Sequence, residues 1–108
     1  MNIPVSNIYK CIPQQLDKEH LQILAQNENV RIERIISKGH ASEKDFWYDQ
    51  DQDEFVLLLK GKAILGFFED DKTLSLSAGD YLIIKAHQKH RVTWTDPDTD
   101  TFWLTVYF

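Results

Sequence analysis

Four side chains of this sequence could do chemistry together: His87, His90, Glu54 and Gln50. His90 has the parity of Val92 and Trp94 along the alternating segment Arg91 to Thr95, so its ring shares their side if the strand runs back that far. His87 sits in the connection just before it. Glu54 opens an otherwise apolar run, and an inward carboxylate there must be hydrogen-bonded, metal-bound or protonated, because a lone ionised carboxylate is costly to desolvate. A salt bridge to Arg34 is the alternative. His90 and Glu54 offer a nitrogen and an oxygen to a first-row transition metal, with His87 or Gln50 as a third ligand. The other reading has His90 hydrogen-bonded in a wet pocket and His87 on the surface. Trp47, Tyr48, Trp94, Trp103 and Tyr107 could line a ligand site, where rings give apolar contact and N–H or O–H groups orient the guest, or could simply fill the core. Arg34 would anchor an anionic substrate if its face is interior.

These residues need a scaffold. From Val30 onward the chain alternates with period two: Val30, Ile32, Arg34 and Ile36 fall on one face. Phe55 to Lys60 reads as a covered strand, Lys62 to Phe68 as its return, and Thr73 to Ser77, Tyr81 to Ile84 and Arg91 to Thr95 as further strands. The last strand alternates Phe102, Leu104, Val106 and Phe108 with Thr101, Trp103, Thr105 and Tyr107. Turn signals at Gly39, Gly61, Gly79 and Pro97 punctuate the series, which predicts an all-β barrel or sandwich. Before it, Asp17 as cap, Glu19 in the first turn, and Leu21, Leu24 and Ala25 at helical spacing predict one short helix, ending at Asn27-Glu28-Asn29 and lying as a lid on the barrel. Ile3 to Ile12, between Pro4 and Pro13, is expected to run extended along the surface or at a sheet edge.

Composition bounds the function. A chain of 108 residues makes a single domain, here with residues 1–29 as extension and helix and 30–108 as barrel. A formal charge of -5 argues against a nucleic-acid or anionic-membrane partner and leaves small molecules or proteins. Cys11 is the only cysteine, so no intrachain disulfide or multi-cysteine zinc site can form, and it is expected to be a partly buried bystander. The N-terminal residues lack a signal-peptide pattern and no apolar run reaches membrane-spanning length, so a soluble cytoplasmic protein is expected. Neither a nucleophile–base pair nor a phosphate loop nor a dinucleotide fingerprint is present.

From Val30 to Phe108 the order of motifs resembles a small single-domain cupin, a jelly-roll or double-stranded β-helix barrel. Gly79 and His90 fall on the first glycine and the histidine of the family's second motif, with Lys85, His87 and Trp94 where its proline, second glycine and asparagine stand. Glu54 and Gly61 match the glutamate and glycine of the first motif. The His-x-His pair expected upstream is replaced by Tyr48 and Gln50 or, with a loop one residue longer, by Trp47 and Asp49. The resemblance implies a homodimer and a small-molecule ligand. Two functions follow as expectations. One is a cupin with a divalent transition metal (zinc, iron, manganese or nickel), held by Glu54 and His90 with His87 or Gln50, that polarises a substrate oxygen or activates water or dioxygen. The other is a metal-free ligand-binding or sensor module in which Glu54 and His90 only orient the ligand.

Overall fold

The period-two segments become strands that close two antiparallel sheets over one core. In chain order these are β1 (His20–Gln26), β2 (Arg31–Ser37), β3 (Glu54–Lys60), β4 (Lys62–Phe67), β5 (Lys72–Ser77), β6 (Tyr81–Ile84), β7 (His90–Thr95) and β8 (Thr101–Tyr107). The computed structural model describes every residue from Met1 to Phe108. The larger sheet runs β1-β2-β8-β3-β6 and the smaller β5-β4-β7, the jelly-roll arrangement expected of the sequence. Their facing sides bury Val56, Leu58 and Trp103 against Ala63, Leu65, Phe67 and Leu76.

The expected N-terminal helix is absent. Residues 20–26 form an edge strand paired with β2, His20 opposite Ile36 and Gln26 opposite Arg31, with a bulge between Ile23 and Ala25. Asn27-Glu28-Asn29, expected to stop a helix, makes a hairpin turn instead: Asn27 Oδ1 accepts from the amides of Asn29 and Val30, and the Asn27 amide donates to the Val30 carbonyl at 2.9 Å. Six of the seven residues of β1 gain a partner on β2, whereas a helix of that length is marginal alone. The only helical element is a single 3-10 turn at Glu69–Asp71.

Two features of the fold set up the site. First, Gly61 turns the chain from β3 in one sheet to β4 in the other at φ +95°, packed directly against Thr101 at the start of β8. Second, the long connection from Lys38 to Asp53 lies along the outer edge of β7. Ser42 is bonded to Val92 through both its amide (2.8 Å) and its hydroxyl (3.0 Å), and Tyr48 and His90 exchange a pair of backbone hydrogen bonds at 2.8 and 3.1 Å. The connection thereby covers an edge that would otherwise expose unpaired groups. No helix is long and apolar enough to cross a membrane.

Candidate functional site

β3, β7 and β8 send Glu54, His90, and Thr105 with Tyr107, respectively, into the same space between the sheets. Glu54 is the first inward residue of β3 and stands opposite Tyr107 of β8, while His90 opens β7 opposite Phe67. Both are buried, at 6% relative exposure each, and His90 Nε2 lies 3.3 Å from Glu54 Oε1. That separation serves charge attraction but is long for a hydrogen bond, and Oε1 has no well-directed donor. His90 Nδ1 is 2.9 Å from the Gln88 carbonyl and its ring stacks on Tyr48, centroids 5.5 Å apart. Burial alone would depress the His90 pKa. The facing Glu54 carboxylate and the Gln88 carbonyl outweigh that cost, so the imidazole holds its proton more tightly than a free histidine. Tyr48 and Tyr107 are pushed away from ionisation, first by burial and then by the carboxylates near them, Glu19 and Glu54 for Tyr48 and Glu54 foremost for Tyr107. Both remain neutral hydroxyls across the physiological range.

The enclosed space is about 100 Å³, the room of roughly three waters, and is lined mostly by apolar side chains including Leu21, Ile35, Val92 and Trp103. Its polar wall is made of Glu19, Tyr48, Gln50, Glu54, His90, Thr105 and Tyr107. Three oxygens of that wall, Glu54 Oε1, Gln50 Oε1 and Thr105 Oγ1, are buried without a hydrogen-bond partner. Unpaired buried acceptors carry a desolvation cost that a ligand or water can relieve.

Of the side chains singled out in the sequence, Glu54, His90, Gln50, Tyr48, Trp103 and Tyr107 line this cavity. Four others lie elsewhere, each for a local reason. His87, at φ 65° in the turn before β7, is exposed and pairs with Asp49 at 2.8 Å and Asp51 at 3.6 Å. Trp94 leaves the interior because β7 bulges: Leu65 pairs with Val92 but Ile64 with Trp94, so Thr93 is an extra residue that reverses the alternation. Trp47 packs outside, edge-on to Phe68 and beneath the Arg91 guanidinium at 4.4 Å. Arg34 is buried on the opposite face of β2 from Ile35, where it donates to the carbonyls of Ile8, Lys10 and Cys11 and straps the N-terminal segment to the sheet. It neither meets Glu54 nor reaches the cavity, and Cys11 itself is exposed. Two residues of the polar wall were not among the candidates. Glu19 was hidden by its place in the expected helix, whereas Thr105 could have been found from its parity with Trp103 and Tyr107.

His87→Ala is therefore expected to change unfolding free energy in urea by less than about 1 kcal/mol, since it removes only exposed ion pairs.

Comparison with known proteins fits this architecture. The family model of the Cupin domain matches residues 33–107. The chain belongs to the cupin family. A solved protein of Ralstonia eutropha JMP134, named as a candidate mannose-6-phosphate isomerase, is 38% identical to this cupin, with 97% of each chain covered and a TM-score of 0.92. A cupin superfamily protein of Desulfitobacterium hafniense DCB-2 (21% identity, 100% of this chain and 92% of the other, TM-score 0.77) and a protein of Thermus thermophilus (15%, 97% and 96%, 0.78) share the fold. No curated protein matches the chain.

The family's usual metal set of three histidines and a glutamate is not assembled by the residues present. Tyr48 and Gln50 line the cavity from the stretch where the His-x-His pair is expected, and no group of three or more His, Cys, Asp or Glu side chains is arranged to hold a metal ion. One imidazole, the buried Glu54 carboxylate and one weak amide oxygen fall short of the three strong protein ligands a catalytic metal requires, and the wall's second carboxylate, Glu19, is exposed and joins no ligand cluster. The residues do not fit a resident transition metal.

Proposed function

We propose that this cupin is a ligand-binding or sensor module whose interior site takes a compact polar molecule without a resident metal. One observation carries the reading: three buried, unpartnered oxygens face the one cavity that Glu54 and His90 share. Apolar walls supply contact, and Glu54, Gln50, Thr105 and the two tyrosine hydroxyls orient the guest. His90, steadied by Gln88 and Tyr48, keeps the Glu54 carboxylate compensated when the site is empty of ligand.

The activity named for the Ralstonia relative asks for something else. A sugar phosphate needs cationic or amide donors for its phosphate, and no lysine or arginine lines the cavity. Arg31, whose guanidinium stacks on Tyr107 at 4.4 Å, is already held by Glu33 at 2.6 Å.

Elemental analysis of untagged protein purified without chelators is expected to find less than about a tenth of an equivalent of any transition metal, with no uptake on titration. A small-molecule thermal-shift screen is expected to give chelator-insensitive hits, a ligand at one hundred times its Kd stabilising by about 2.7 kcal/mol. Stoichiometric metal, or stabilisation that vanishes with chelator, would overturn the reading in favour of a metal-dependent cupin.

A further inference from the structure

The cavity opens into a wider groove of about 640 Å³, with Glu19 and Tyr48 forming part of both walls. Asp17 and Glu43 add two more carboxylates to the groove, against Lys18 as its one lysine. The groove histidine, His40, is engaged at both ring nitrogens, Nδ1 accepting from the Lys38 amide at 2.9 Å and Nε2 lying 3.0 Å from the Leu16 carbonyl. The outer groove is thus net acidic, and the inner wall adds three oxygens without a hydrogen-bond partner beside the Glu54–His90 pair.

We propose that the guest is a small primary ammonium, its head group received by Glu54 Oε1, Gln50 Oε1 and Thr105 Oγ1 and its tail directed into the acidic groove. This rests on the binding reading above and gives that site its ligand class. An ammonium has three N–H donors and no acceptor, and Glu54 Oε1, Gln50 Oε1 and Thr105 Oγ1, none of them in a hydrogen bond, can each accept one. Glu54 and Thr105 are 6% and 2% exposed, so these acceptors cannot be served by bulk water. An alcohol offers a single donor, a carboxylate offers none, and phosphate would meet Glu54 and Glu19 with like charge. His90 is the only cation facing the cavity. When charged it is matched by Glu54, and its 3.3 Å contact is long enough for an ammonium to compete for Oε1. An ethylammonium head and stem fit a space of about three waters, leaving longer alkylamines to reach the groove.

The test is calorimetry and thermal shift on the full chain at low ionic strength, with ethylammonium chloride against 1-propanol, sodium acetate, sodium phosphate and sodium chloride. Ethylammonium alone is expected to bind saturably and raise the melting temperature. Glu54→Gln is expected to weaken it by about tenfold, from loss of a close charge in a partly desolvated site. Glu19→Gln, at an exposed position where folding is not at stake, is expected to weaken it by about threefold through the field at the mouth. Propanol or acetate binding as well as ethylammonium, or sodium chloride reproducing its effect, would overturn the ammonium assignment. In the first case the pocket reading would stand. Unchanged affinity in both glutamate variants would likewise overturn it. If none of the probes binds and a broader screen finds no ligand, the binding reading falls with it.

Discussion

Gly61→Ala is expected to destabilise the protein by about 3–5 kcal/mol in urea unfolding, while Gly79→Ala costs only about 1 kcal/mol. The two glycines share a backbone conformation, φ +95° and +94°, so the penalty for placing an L side chain in the left-handed region is common to both. They differ in what a Cβ would meet. At Gly79 nothing lies within 4 Å, whereas at Gly61 the added carbon would sit 2.7 Å from Thr101 Cα and 2.3 Å from Thr101 Oγ1. Backbone cannot step aside as a flexible side chain can. Thr101 begins β8, the central strand of the larger sheet, which pairs with β2 on one side and β3 on the other. Relief of the clash would therefore disturb both ladders and the inward row of Trp103, Thr105 and Tyr107. Equal costs for the two substitutions would show that the close approach of the chain at this corner is not a constraint on the fold.

His90→Ala is expected to cost about 3 kcal/mol, because it leaves the buried Glu54 carboxylate without its facing cation. Glu54→Gln in the same chain should recover part of that loss, since an amide needs no counter-charge, so the double mutant should be clearly less destabilised than the two single costs added. The loss has a pH signature whose sign follows from the raised pKa of His90. A group with a folded pKa above its unfolded value of about 6.5 contributes its full stabilisation below that pH and loses it as pH rises through the folded pKa. The groups around His90 are Glu54 from β3, Phe67 from β4, and Tyr48 and the Gln88 carbonyl from its own side of the barrel, so Glu54 is the only one that carries charge there. The gap between wild type and His90→Ala should thus be widest near pH 6 and narrow toward pH 8. Additive single costs, or a gap that widens with pH, would mean that the pair is not coupled.

How much of this could be read from the residues depended on how local the cause was. The strands from β2 to β8 followed from alternation, from the apolar run of β3 and from glycine and proline turns, and parity along β8 grouped Trp103 with Tyr107, which line the cavity together with Glu54 at the head of that run. Parity failed wherever one residue was inserted. The bulge at Thr93 turned Trp94 outward although Val92 stays in, and no composition signal marks it. Arg34 was grouped with an interior face because its neighbours are apolar. Those neighbours are covered by residues 8–11, a long-range contact that period two cannot reveal. Leu21, Leu24 and Ala25 fit a helix as well as a strand over so short a run, and the choice was made by β2, which pairs with Leu21 and Ala25 in space and leaves Leu24 in the bulge. Tyr48 and Gln50 rather than Trp47 and Asp49 face inward because the backbone bridge from Tyr48 to His90 fixes the register of an otherwise irregular connection.

That bridge also ties the mobility of the connection to that of β7. Tyr48 on the connection and His90 on β7 both line the cavity, and their main chains are joined by two reciprocal bonds, with the His87 amide tied to the Gln50 carbonyl at 2.7 Å just beyond. Neither segment can swing out alone, because displacing the loop pulls on the start of β7 and displacing β7 pulls on the loop. Local opening on this side of the barrel therefore means peeling a short two-stranded ribbon as one unit, so the backbone stability of the loop and of the start of β7 is governed by the same few bonds.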